Sequence, residues 1–222
     1  MSKHLQRDLE QLQREIVGFA SMVEDAISKS VQSLSDRDQK LAEEVIHGDE
    51  QIDAMENHVL EDCLKILALH QPVATDLRRI TSIFMISTDL ERMGDLARHI
   101  AEVAISVKSA SMEIPPKMLH MADLCTSMVR QALDSYVNLD QQLARRVVRM
   151  DDEADRYNDD MIVELMRLMK QSPDHIEPGM QLFAATRNLE RIADHATNIA
   201  EDVIYLVEGE IVKHRPDAIG KD

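Results

Sequence analysis

The sequence repeats itself. Displacing the chain by 102 positions lays Asp38-Gln39-x-Leu41-Ala42-x-x-Val45 over Asp140-Gln141-x-Leu143-Ala144-x-x-Val147, and puts Asp49 over Asp151 and Asp53 over Asp155. A displacement of 99 lays Leu90-Glu91-Arg92-x-x-Asp95 over Leu189-Glu190-Arg191-x-x-Asp194, and Ile100-Ala101-Glu102 over Ile199-Ala200-Glu201. Between positions 88 and 106 nine of nineteen residues are identical to their counterparts, so one structural unit is written twice. Whatever one half folds into, the other must fold into as well.

That unit is helical. The six prolines (Pro72, Pro115, Pro116, Pro173, Pro178 and Pro216) lie at the borders of long segments, and proline is excluded from helix interiors because it lacks an amide donor and clashes with the preceding turn. Within the segments apolar residues recur every three and four positions. Leu5, Leu9, Leu12, Ile16, Phe19 and Val23 make one stripe. Leu41, Val45, Ile52, Met55, Val59 and Cys63 make a second, and Ile83, Ile86, Leu90, Met93, Ala97, Ile100 and Ala104 a third. Helices are expected over 4–35, 38–69, 74–109, 116–138, 140–171 and 177–209. The expected fold is all-α, two tandem antiparallel three-helix bundles, with repeats over 1–112 and 113–209 and a flexible tail over 210–222.

Charge narrows the function. Forty-one acidic against 25 basic side chains leave a formal charge of −16, which repels nucleic-acid phosphates and free phosphate alike. Cys63 and Cys125 show no metal-ligand spacing and read as two reduced core thiols. The first twenty residues mix basic and acidic side chains, unlike a signal peptide, and no window resembles a membrane span, so a soluble intracellular protein is expected. Glycine-rich phosphate loops, Gly-x-Ser-x-Gly and His-Glu-x-x-His are missing, and an enzyme is not expected. Most of the 14 methionines read as core filling, with a partner-binding groove around Met161, Met166 and Met169 as the alternative.

The chemistry is carried by paired carboxylates at i, i+4, a spacing that puts both on one helix face. Asp49/Asp53 and Glu91/Asp95 lie about twenty residues on either side of the turn near Gln71, and Asp151/Asp155 and Glu190/Asp194 do the same around Ser172, so each quartet meets on the outer seam of a helical hairpin. Crowded like charges need a positive partner. Arg92, Arg98, Arg191 and His99 supply some. A hard multivalent cation held by oxygen ligands is the other solution, and the two readings stay open at this point. His99, Glu102, His195, Asn198 and Glu201 are secondary ligand or seam candidates, while His4, His58, His70, His120 and His175 read as exposed or capping side chains. A carboxylate-bridged metal store or redox protein is the alternative function. It is disfavoured because Glu44-x-x-His47 alone has the Glu-x-x-His spacing such sites use.

Two three-helix units, each with Asp-x-x-x-Asp on its middle helix and Glu-Arg-x-x-Asp followed by Ala-Glu on its third, resemble the PhoU family of phosphate-signalling proteins. The stretches Asp89-Leu90-Glu91-Arg92-Met93-Gly94-Asp95 and Leu189-Glu190-Arg191-Ile192-Ala193-Asp194 carry the likeness in both halves. The resemblance implies a cytoplasmic, homodimeric adaptor that restrains the phosphate-starvation response and modulates phosphate uptake. Its partners would be the phosphate ABC transporter ATPase and a phosphate-responsive sensor histidine kinase, with only peripheral attachment to the inner membrane through those proteins. It also implies surface metal ions (iron, zinc, manganese or magnesium) on Asp49, Asp53, Glu91 and Asp95 and on Asp151, Asp155, Glu190 and Asp194. Position 99 is His where its counterpart is Asn198, and His195 answers to Leu96, so the two sites are expected to differ.

Overall fold

The computed structural model describes residues 3–209, and the tail expected over 210–222 lies outside the described residues. Six helices follow one another: α1 (Lys3–Asp36), α2 (Gln39–His70), α3 (Ala74–Ser106), α4 (Pro116–Asn138), α5 (Gln141–Met169) and α6 (Ile176–Glu208). A short 3₁₀ turn, Pro173–His175, precedes α6. Helices α1 to α3 form one antiparallel bundle and α4 to α6 repeat it. The chain is thus all-α and duplicated, as the internal alignment requires.

The duplication reaches into the turns. Asp38 caps α2, its Oδ1 accepting from the amides of Lys40 at 2.9 Å and Leu41 at 3.2 Å. Asp140, 102 positions on, caps α5 in the same way at 3.0 Å to Gln142 and Leu143. The residue before each cap, Arg37 (φ 54°) and Leu139 (φ 51°), sits in the left-handed region that lets the chain reverse. Arg37 also donates to the carbonyls of Ala110 at 2.7 Å and Met112 at 2.6 Å, fastening the inter-repeat connection to the first bundle.

Two helix ends differ from the periodicity. Helix α3 stops at Ser106 rather than 109, with Val107 closing onto Val103. Helix α5 stops at Met169 rather than 171, since Ser172 and Pro173 open the 3₁₀ turn instead. The stripes on α1 and α3 are buried as expected, whereas Leu41 and Met55 on α2 are only partly covered.

Helices α3 and α6 are buried on more than one face, because each packs on its own bundle and also on the other. Helix α3 also buries Ser82, Ser87, Leu96 and Ala101 at 2% exposure or less, and α6 fully buries Ala185, Thr186, Ala193, Ala196 and Ala200. Small side chains let the helix axes approach, and a single amphipathic stripe no longer describes either helix. The two cores merge into one apolar cluster.

Helices α2 and α3 pack most tightly midway along the hairpin. A Cβ on Gly94 would lie 2.8 Å from Cγ2 of Ile52, so glycine is required opposite a β-branched residue there. The second repeat solves the same contact with Ala193 and Ala154, both buried. Gly94→Ala is expected to cost about 1–3 kcal/mol from overpacking. Combined with Ile52→Ala it should cost clearly less than the sum of the two single changes, measured by urea unfolding in a double-mutant cycle. Additive costs would show that the two residues do not oppose each other.

Candidate functional site

The tight point between α2 and α3 sets the first acidic seam. Ile52 lies between Asp49 and Asp53, and Gly94 between Glu91 and Asp95, so the close contact places the two acidic pairs along one seam, although no three of these carboxylates bring oxygens within 4.8 Å of one another. Asp49 and Glu91 are largely covered, with side chains 14% and 15% exposed, whereas Asp95 and Glu102 remain more open. Burial raises the pKa of both Asp49 and Glu91. Arg98 opposes this at Asp49 and Arg92 at Glu91, while Asp53 and Asp95 push both upward. Glu56, absent from the sequence-based quartet, belongs here too: burial first and Asp53 in addition raise its pKa, against Thr88 and Arg92.

Arg98 laces this seam. Its Nε lies 2.7 Å from Asp49, Nη2 3.2 Å from Asp95 and Nη1 2.8 Å from Glu102. One guanidinium thus bridges α2 to two turns of α3. Arg92 adds weaker, more exposed pairing at 3.4 Å to Glu91 and 3.7 Å to Asp95.

The second seam has the carboxylates without that cation. Position 197, the counterpart of Arg98, is threonine, whose hydroxyl donates to Asp151 Oδ1 at 3.2 Å. Burial, together with the charges of Asp194, Asp155 and Asp152, pushes the Asp151 pKa up to about 6 despite the Thr197 hydrogen bond. Asp194 is raised too, by surrounding protein first and then by Glu190 and Asp155, although the residue as a whole reaches solvent. Arg187 donates to Glu190 Oε1 at 3.0 Å from the edge, but Glu190 Oε2 is buried without a hydrogen-bond partner. An orphaned carboxylate oxygen beside other carboxylates offers a hard cation a donor, although no three carboxylates of this quartet bring oxygens within 4.8 Å of one another. The fit at the first seam is poorer. Asp49 Oδ1 is also orphaned there, but a guanidinium already stands among the carboxylates.

The secondary candidates separate. Glu102 pairs with Arg98, and His99 lies 3.3 Å from the same guanidinium. His195 and Asn198 are directed elsewhere: Nδ1 of His195 lies 2.7 Å from Asp89 Oδ1, and the Asn198 amide donates to the same oxygen at 3.3 Å. Asp89 belongs to α3, so these contacts join the two repeats. Glu201 is half-buried on α6. Among the other histidines, His70 pairs with Asp8 at 3.0 Å and is largely covered rather than exposed. The two cysteines are buried thiols, each pushed up to about 12 mainly by burial.

The duplicated bundles have close counterparts among known proteins. The PhoU domain model matches residues 16–104 and again 118–203. The chain belongs to the PhoU family. It is 40% identical over 214 residues to a phosphate-specific transport system accessory protein PhoU homolog from Aquifex aeolicus, covering 94% of this chain and 95% of that one. It is 38% identical over 216 residues to the like-named protein from Pseudomonas putida, covering 96% and 84%. The crystal structure of PhoU from Pseudomonas aeruginosa superposes with a TM-score of 0.90 at 38% identity, over 92% of this chain and 99% of that one. The PhoU structure from Streptococcus pneumoniae gives 0.87 at 30% identity, over 94% and 99%. No helix among the described residues is long and apolar enough to cross a membrane.

The raised Asp151 carboxyl has a thermodynamic signature. Folded metal-free protein holds that proton up to about 6, whereas the ordinary aspartate value is 3.8, so rising pH across this window removes stability. Asp151→Asn should abolish that contribution, on the order of 2 kcal/mol, and flatten the wild-type decline between those limits. Urea unfolding in chelator at a series of pH values measures it. Parallel curves for the two proteins would refute it.

Proposed function

We propose that this chain is a non-catalytic accessory protein of phosphate transport, which restrains the phosphate-starvation response by linking the transporter ATPase to a sensor histidine kinase. Membership of a family whose named relatives are transport accessory proteins supports this reading. So does the surface, where chemistry is concentrated in acidic seams rather than in a nucleophile and its base. Apolar side chains left open at the ends of both hairpins, Leu69 and Val73 at one and Ile176 and Met180 at the other, are 53% to 75% exposed and offer partner proteins surface to cover. Attachment to the inner membrane would run through those proteins, since anionic headgroups repel a charge of −16. Deleting the gene should derepress phosphate-starvation genes in phosphate-rich medium. Unchanged reporter expression in the deletion strain would defeat the proposal.

The metal function falls on the second seam. Asp151, Asp155, Glu190 and Asp194 would hold a hard di- or trivalent cation such as iron, manganese or magnesium, and the cation would neutralise a cluster that Arg187 and His195 balance only in part. The observation that carries this is Thr197 standing where the first seam has Arg98. A bound ion would supply positive charge between α5 and α6, with Asp151 and Glu190 among the residues that would hold it. Thr197 donates to Asp151 and fixes its orientation. The carboxylates lie on seams beside a core of residues such as Leu90, Met93, Leu189 and Ile192, an arrangement unlike the inward-facing ligands of a redox bundle.

Exchanging one residue between seams tests the assignment. Thr197→Arg should abolish manganese binding, whereas Arg98→Thr should create a second binding equivalent, both read by calorimetric titration of tag-free protein. If Thr197→Arg leaves the binding isotherm untouched, the second seam is not the site.

A further inference from the structure

A third cluster lies away from both seams, on the opposite side of α2. Glu15 of α1 meets His58 and Asp62 of α2, and one ligand atom from each lies within 4.8 Å of the other two. Among the described residues this is the one trio of histidine, cysteine or acidic side chains gathered so closely; neither acidic quartet converges to that degree. His58 and Asp62 are one turn apart on one helix face, and the antiparallel neighbour brings Glu15 to the same height.

The contact between His58 and Glu15 is too long for hydrogen bonding and suits coordination. His58 Nε2 lies 3.6 Å from Glu15 Oε1, beyond a normal hydrogen bond. Two ligands of a tetrahedral ion at ordinary zinc–nitrogen and zinc–oxygen distances stand roughly 3.4 Å apart. Glu15 Oε1 already accepts from Gln11 at 2.7 Å, while its Oε2 is buried without a hydrogen-bond partner. On the outer side Asp62 has Lys65 at 3.6 Å, an exposed contact that leaves the carboxylate open toward Glu15. The side chains grade from Glu15 at 13% exposure through Asp62 at 26% to His58 at 53%, giving a covered base with an open mouth.

The duplication supplies an independent indication. The displacement of 102 carries Glu15, His58 and Asp62 onto Lys117, Asp160 and Glu164. It also superposes the surrounding core, Ile16 and Phe19 on Met118 and Met121, and Val59 on Met161, all buried. In the second repeat a cation fills the place: Lys117 Nζ lies 2.6 Å from Asp160 Oδ2, and Glu164 adds its charge to hold the ammonium protonated. The first repeat has replaced that ammonium with a carboxylate and one of its acidic partners with an imidazole. The location still favours positive charge, and the protein supplies it only from the outer side, through Lys65 at 3.6 Å from Asp62.

We propose that Glu15, His58 and Asp62 form a zinc-binding site between α1 and α2, with three protein ligands and an open coordination position. One imidazole with two carboxylates selects a borderline ion such as Zn²⁺ or Co²⁺ over Mg²⁺, which separates this site from the all-oxygen seams.

The test is titration of the full chain with Zn²⁺, and with Co²⁺ as a spectroscopic probe, in three variants beside the wild type. His58→Ala should lose one zinc equivalent and the visible bands of four-coordinate cobalt. Glu15→Lys, which copies the second repeat, should lose both while keeping the fold, checked by its helical circular dichroism. The seam variant Asp151→Asn with Glu190→Gln should retain both, so failure of the seam assignment and failure of this one are distinguishable. The proposal is overturned if wild-type protein takes up no zinc at micromolar concentration, if His58→Ala keeps the full equivalents, or if the cobalt bands vanish with the seam variant instead.

Discussion

Carboxylates pressed between packed helices stay ionised only when positive charge stands among them, and this requirement shapes the surface of both bundles. Each repeat has two such places, one between its first and second helices and one between its second and third. In the first repeat the protein's own cation, Arg98, serves the second of these places. In the second repeat its own cation, Lys117, serves the first. Arg98 and Lys117 therefore serve opposite seams in the two repeats. What remains in each repeat is an acidic cluster whose buried oxygens, on Glu15 and on Glu190, lack partners.

Much of the fold was legible because it is periodic twice over, by helical turn and by repeat. The stripes through Leu9, Ile16, Ile83 and Ile100 are core, and Asp38 and Asp140 do begin helices. The helix ends at 106 and 169 were not legible, since they depend on local closures around Val107 and Ser172 that apolar spacing does not encode. The packing of α3 on α6 was also missed. Part of it, Asp89 against His195 and Asn198, is polar and falls outside any apolar stripe.

The candidate site was legible in outline and not in detail. Repetition singled out the eight carboxylates, but it drew attention to what the halves share. The informative positions are those where they differ: Arg98 against Thr197, Glu15 against Lys117, and Asp89 against Asn188. His58 looked like an ordinary surface histidine because the residue that gives it significance lies 43 positions earlier on another helix. The pairing of His195 and Asn198 with Asp89 was likewise invisible, being a contact between repeats rather than within one.

Helix α6 is at once a wall of the second acidic seam and the partner of α3 at the junction between bundles. Through Asp194 it faces α5, and through His195 and Asn198 it grips Asp89. A rod shared by two compartments cannot be displaced in one of them alone. An ion held in the outer compartment would therefore act on the same rod that forms the joint to the neighbouring bundle.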